Sequence, residues 1–237
     1  MTEEFAGDLA GAVFWGADLT GARFRDVDLT HARISHALLV DVDIDAAIDQ
    51  LVINGVDVTD FVNEHDPWYP LRSMLTPTES ADMRATWEAL GTEWATTLAL
   101  ARSLPEPSLH ESVGGEWSFV QTLRHVVFAM DKWFTVPILG GSFDPIGLPN
   151  SGSIDVPWPG LDQSLAPTFA EALSVRSDRV RRFADYLETV DPDEFTHHVV
   201  VLENGDEQLL HCLHTVFEEE FWHNRYARRD LELLASS

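Results

Sequence analysis

The sequence predicts a mainly α-helical protein, a four-helix bundle preceded by a short stacked-repeat segment. Three observations carry this. Residues 5–44 repeat every five, a period that neither a helix nor a strand supplies. From about Thr76 onward, four stretches of 20–28 residues read as helices. Of the 237 residues, 45% are hydrophobic, enough for a core and too many for global disorder.

Divided into pentads, residues 5–44 read FAGDL AGAVF WGADL TGARF RDVDL THARI SHALL VDVDI. The last place is always Leu, Phe or Ile, from Leu9 to Ile44, and two places earlier sits a small or slim residue, from Gly7 to Val42. An amphipathic helix with accidental spacing does not explain why both places keep their size class through eight copies. The segment resembles the pentapeptide-repeat family. That resemblance implies a right-handed quadrilateral β-helix, large and small residues turned inward, four pentads to a coil and so about two coils. Two coils fall below the roughly three repeats that a stack needs to stand alone. The segment is therefore expected to rest on the rest of the protein or on a second copy. The pattern fails at Ala47–Gln50, and LVINGVDV (51–58) reads as a closing segment with an Asn-Gly turn. The expected division is a repeat segment at 1–58, a linker at 59–75 and the bundle at 76–237.

The first long helix is expected from about Thr76 to Leu104, opening with a capping-box-like Thr78–Ser80–Asp82 region. WSFVQTLRHVVFAMDKWFTV (117–136) is apolar nearly all round and is expected to be well buried. A connection with Gly and Pro follows at about 139–165, and loops of that length inside a compact domain are often functional. A third helix over 166–190 carries Arg176, Arg179, Arg181 and Arg182. A hairpin about Asn204-Gly205 follows, then a fourth helix over roughly 207–234. This order gives a four-helix bundle with one long crossover.

The formal charge is −25, from 40 acids against 15 bases, a surface that repels nucleic-acid phosphate and anionic lipid. No nucleic-acid or membrane partner is expected, and no apolar run approaches a membrane span. The start, MTEEFAGDL, has neither the basic end nor the apolar centre of a signal peptide. The single cysteine, Cys212, fits a reducing compartment, so the protein reads as cytoplasmic. Cys212 is a poor nucleophile candidate, since a lone cysteine is more often a small buried apolar residue.

In HTVFEEEFWHNRYARRDL (214–231), Glu219 and His223 lie one helical turn apart at the border of the apolar stripe. His214 and Glu218 share that spacing but point to nearly the opposite side, so one Glu/His pair at most faces the interior. Glu220 points closer to the middle of the stripe, where it either pairs with a buried arginine or is itself a carboxylate ligand. His125, the sole histidine of the other three expected helices, is the candidate third ligand. The alternatives are an ordinary i, i+4 ion pair for Glu219/His223 and a satisfied, partly buried His125. His197-His198 would point to opposite faces of a strand, and His211/His214 lack a third partner. Trp133 and Trp222 are candidates to line a pocket.

GEWSFVQTLRHVVFAMDKWF, followed some ninety residues on by FEEEFWHNRYARRDL, resembles the DinB-like superfamily of four-helix bundles over about 76–234. That resemblance implies a divalent-metal site with His125, Glu219 and His223 as ligands. Zinc is the first expectation, with nickel or iron(II) also suited. The carboxylate in place of a third histidine matches the mycothiol-dependent maleylpyruvate isomerase branch, whose additional C-terminal domain this chain lacks, so that enzyme's substrate is not transferred. The implied chemistry is transfer or isomerisation with a low-molecular-weight thiol such as mycothiol. The implied partner is a small-molecule substrate or thiol, and the short repeat segment adds the expectation of a homodimer. Acidic pentapeptide β-helices can mimic DNA and bind gyrase, but two coils make too short a rod.

Overall fold

The protein is described here as a computed structural model covering residue 5, residues 7–24 and residues 27–236. Residues 6, 25 and 26 of the repeat, and residues 1–4 of the acidic start, lie outside the described residues. The chain falls into two compact units, Met1–Ile48 and Asp49–Ser237.

In the first unit the five-residue period is written in the backbone. A left-handed residue recurs at Gly11, Gly16 and Gly21 and again at His31, His36 and Asp41. His and Asp are among the few side chains that tolerate this region, and glycine adopts it freely. At every second pentad the left-handed residue is the third of a hydrogen-bonded turn, closed by Ala12, Ala22 and Ala32 donating to Leu9, Leu19 and Leu29. A positive φ at that place is the mark of a type II turn. Asp8, Asp18 and Asp28 accept from the backbone two residues on and so brace the same turns. No strand is assigned among the described residues 5–48. The eight large pentad residues stay 46–70% exposed, as eight pentads are too few to enclose a core of their own.

The second unit is mainly helical. It opens on a hairpin, β1 (Val52–Ile53) and β2 (Val56–Asp57), turning at Asn54 and Gly55, both left-handed as a two-residue hairpin demands. Two short helices follow, α1 (Thr59–His65) and α2 (Tyr69–Arg72). The long helices are α3 (Ser80–Ser103), α4 (Phe119–Met130), α5 (Phe169–Leu187) and α6 (Leu209–Ala235). A second hairpin, β3 (His198–Val201) with β4 (Gly205–Gln208), precedes α6, its antiparallel register running from His198↔Gln208 to Val201↔Gly205.

The expected cap at Thr78–Ser80–Asp82 does not form. Glu79 stands at the N-cap of α3 without a side-chain bond, and Ser80 Oγ turns to the Val190 carbonyl instead. Capping boxes close two other helices, Ser118 with Gln121 at α4 and Thr168 with Glu171 at α5. α4 is buried on every side except at Gln121 and continues through a π-helical turn, Asp131–Thr135. It packs on α5 and α6, and α3 packs on α6. Phe134, Phe183 and Phe217 meet edge to face at the centre, with centroids 4.8 and 5.7 Å apart.

The long connection after α4 is folded back onto that helix. Asp131, wholly buried, accepts from Arg179 Nε at 2.8 Å and from the backbone N–H of Asp144 at 2.7 Å. Phe143 and Trp158 then pack on Phe128 in a small second cluster. No described helix is long and apolar enough to cross a membrane.

Candidate metal centre

Helical periodicity sets Glu219 and His223 in one row of α6, and the buried row beside them carries Phe217, Glu220, Phe221 and Asn224. Both residues of the first row are half-buried, as a place at the stripe's border dictates, with side chains 27% and 19% exposed. α4 brings His125 to meet them, its side chain 6% exposed. One ligand-capable atom from each of the three lies within 4.8 Å of the others.

Glu219 Oε2 stands 3.3 Å from His125 Nε2 and 3.1 Å from His223 Nε2. A tetrahedral zinc with ligands at about 2.0–2.1 Å spaces them about 3.3–3.4 Å apart, close to the two distances from Glu219 to the imidazoles. The tautomer of His125 is fixed from behind, where Nδ1–H donates to the Leu148 carbonyl at 2.9 Å. A carbonyl only accepts, so the proton of neutral His125 sits on Nδ1 and the Nε2 lone pair faces Glu219. Two acceptors face to face require a proton or a cation between them, and the donor set of two imidazoles and a carboxylate fits a divalent ion. Burial alone would raise the Glu219 carboxyl. With the imidazoles protonated, hydrogen bonds from His125 and His223 and their charge outweigh it and hold the group well below the usual carboxylate range.

Trp117 forms an aromatic wall beside the cluster, its ring 4.5 Å from that of His125 and 5.9 Å from that of His223. It directly precedes Ser118, the capping residue of the helix that carries His125, so the capping box sets its position. The two carboxylates left open by the sequence have separate partners. Glu219 meets the imidazoles, while Glu220, wholly buried, pairs with Arg176 of α5. Arg176 in turn stacks 3.9 Å over Trp94 of α3, whose Nε1–H donates to the backbone carbonyl of Glu220. Burial is the main influence on the Glu220 carboxyl and pushes it up, despite Arg176. Within this cluster Glu220 Oε1, Arg176 Nε and both amide atoms of Asn224 are buried without a protein partner.

The remaining candidates disperse. His214 Nε2–H donates to the Pro77 carbonyl at 2.7 Å, whereas His211 lies 3.8 Å from Glu207 and edge-on to Trp133. His198 pairs with Asp206 on the outside of the hairpin. Trp133 contacts His211 and Lys132, and Trp222 contacts Phe221, Tyr226 and Arg225, so the indole beside the imidazoles is Trp117. Cys212 is wholly buried, and burial pushes its thiol up to about 12, which leaves it un-ionised and out of reach. Leu148 and Trp117 were invisible as site residues in the sequence. Leu148 acts through its backbone, and its only signal was the length of the loop that holds it. For Trp117 the signal was its place just before a helix cap.

Among known proteins, the family model of the DinB superfamily matches residues 89–227. The model of pentapeptide repeats matches residues 8–44 in eight copies. No curated protein and no solved structure matches the chain.

Proposed function

The chain belongs to the DinB superfamily, and from that premise we propose that it is a divalent-metal-dependent enzyme working with a low-molecular-weight thiol, as a transferase or isomerase. The observation that carries the reading is the meeting of His125 Nε2, Glu219 Oε2 and His223 Nε2 with the His125 tautomer fixed by Leu148. These three atoms are the ligands. Three protein ligands leave at least one place open, the arrangement of a catalytic rather than a closed structural ion. Zinc, nickel or iron(II) bound there would supply Lewis acidity, favouring the thiolate of a bound thiol or the hydroxide of a bound water.

The chain's own residues prepare that chemistry. Leu148 holds the His125 ring and keeps its Nε2 proton-free in the neutral form. Trp117 shields one side of both imidazoles. No internal cysteine competes as nucleophile, Cys212 being buried. The single carboxylate among the ligands supports mycothiol as the thiol, by resemblance to the isomerase branch.

The wider expectations belong to the same proposal. The long helices make a four-helix bundle with residues 139–165 as its crossover, and the pentad turns are corners of about two coils of a right-handed β-helix. The segment boundaries are 1–58, 59–75 and 76–237, in a cytoplasmic homodimer. A second reading, a non-catalytic binding protein with the metal as a staple and the pentapeptide segment as an assembly element, draws on the 46–70% exposure of the large pentad residues.

Metal analysis of protein purified without an affinity tag, beside a Glu219→Ala/His223→Ala double variant, tests the proposal. Near-stoichiometric zinc, nickel or iron in the wild type alone supports the site and opens a screen of thiol-dependent reactions. If the wild type is metal-free, and added zinc neither binds nor raises Tm, the enzyme reading is lost.

A further inference from the structure

We propose that the buried Arg176–Glu220 pair is a positioning device for the metal centre, fixing the rotation of α6 so that Glu219 and His223 face His125. The inference rests on the metal reading above and adds residues outside the set His125, Glu219 and His223. Glu220 follows Glu219 directly, and Asn224 follows His223, so two rows run side by side along α6, one toward His125 and one into the interior. A turn of the helix that freed Glu220 would carry Glu219 away from the imidazoles.

Two other helices hold the interior row. Arg176 of α5 grips the Glu220 side chain, and Trp94 of α3 grips the backbone carbonyl of the same residue. Arg176 and Trp94 are themselves stacked at 3.9 Å. The point at which α3, α5 and α6 are tied together thus lies one residue from the carboxylate ligand.

Stability alone gives a poor account of this arrangement. A buried ion pair contributes little net stability over apolar residues of similar volume. Here it is also incompletely satisfied, since Glu220 Oε1, Arg176 Nε and the Asn224 amide have no protein partner. What the cluster does provide is a directional constraint, which an apolar contact of the same size lacks.

The test is an Arg176→Met/Glu220→Leu double variant of the full chain, compared with wild type in helical circular dichroism, Tm, zinc affinity by chelator competition, and the visible spectrum of the cobalt(II)-loaded protein. The expected result is unchanged helicity, a Tm equal to or above that of wild type, zinc affinity weakened roughly 10- to 100-fold, and a shifted cobalt spectrum. A folded double variant with wild-type affinity and spectrum overturns the proposal. If the double variant fails to fold, Arg176→Lys replaces it, because lysine keeps the charge but loses the planar fork. That variant is expected to bind zinc more weakly with an altered cobalt spectrum, and no change in either overturns the proposal. Wild-type protein that takes up neither ion refutes the metal centre itself, a result distinct from a wild type and variant that bind alike.

Discussion

His125 donates from Nδ1 to the carbonyl oxygen of Leu148, twenty-three residues further along the chain, at 2.9 Å. A backbone atom of the long connection after α4 therefore decides which imidazole nitrogen is left to meet Glu219. Such outer partners are part of a metal site's affinity, because they fix ring orientation and raise ligand basicity.

Gly147 is the residue through which this bond can be disturbed. A Cβ there would stand 2.9 Å from Leu161 Cδ2, 3.2 Å from the Asp144 carbonyl and 3.4 Å from Phe128 Cβ. The leucine methyl can yield, but the carbonyl is tied to its own turn, so the strain passes to Leu148. Gly147→Ala is expected to cost about 1–3 kcal/mol in chemical denaturation and to weaken zinc binding about tenfold. Unchanged zinc affinity would show that the connection after α4 does not orient His125.

Metal uptake should displace protons. His125 and His223 would ligate only when unprotonated, so affinity is expected to fall as pH falls, and calorimetry in buffers of different ionisation enthalpy should show proton release. Glu219 behaves differently in the metal-free protein. Its folded carboxyl is depressed, so its contribution to stability is present above the ordinary glutamate range and fades only as pH drops below it. Glu219→Gln should remove that contribution at neutral pH, as read by Tm without metal.

Trp117 should report on the site. Its ring lies within 6 Å of both imidazoles by centroid. Copper(II) or nickel(II) is expected to quench part of the tryptophan emission, and Trp117→Phe should remove most of that quenching while the protein stays folded. Equal quenching in the variant would place the ion elsewhere.

Cys212 should be silent toward thiol reagents in the native state and lose that protection only on unfolding. Its pKa is pushed up to about 12 by burial, from 9. The stability it lends is thus fully present below pH 9 and is lost as pH rises from 9 toward 12. The loss amounts to at most about 4 kcal/mol. Cys212→Ala is expected to flatten this alkaline decline. Part of the decline should remain, because burial also pushes Tyr186 up to about 12.

The long helices, their order and the shared row of Glu219 and His223 on α6 were legible because they rest on periodicity. Glu219 and His223 at spacing four on the stripe's edge left few other geometries. The choice between Glu219 and Glu220 was not legible, since adjacent residues differ by 100° and an arginine in a separate helix decides which is captured. Leu148 was hidden because a backbone carbonyl carries no residue identity. The cap at Thr78–Ser80–Asp82 misled because several residues there have capping chemistry, and only the entry angle of the chain decides which takes the position. The pentads showed their period plainly, but a period does not say how much of each large side chain becomes covered.

The left-handed places at 11, 16, 21, 31, 36 and 41 also restrict how the first unit can change its length. Each turn is set by one residue able to take a positive φ, and in the described turns these are glycine, histidine or aspartate. Adding or removing five residues returns every later turn to phase. A shift of one residue would ask Ala12, Ala22 and Ala32, or their neighbours on the other side, to adopt a backbone that alanine resists. Insertions and deletions should therefore survive here in whole pentads, so that relatives differ in this segment by multiples of five.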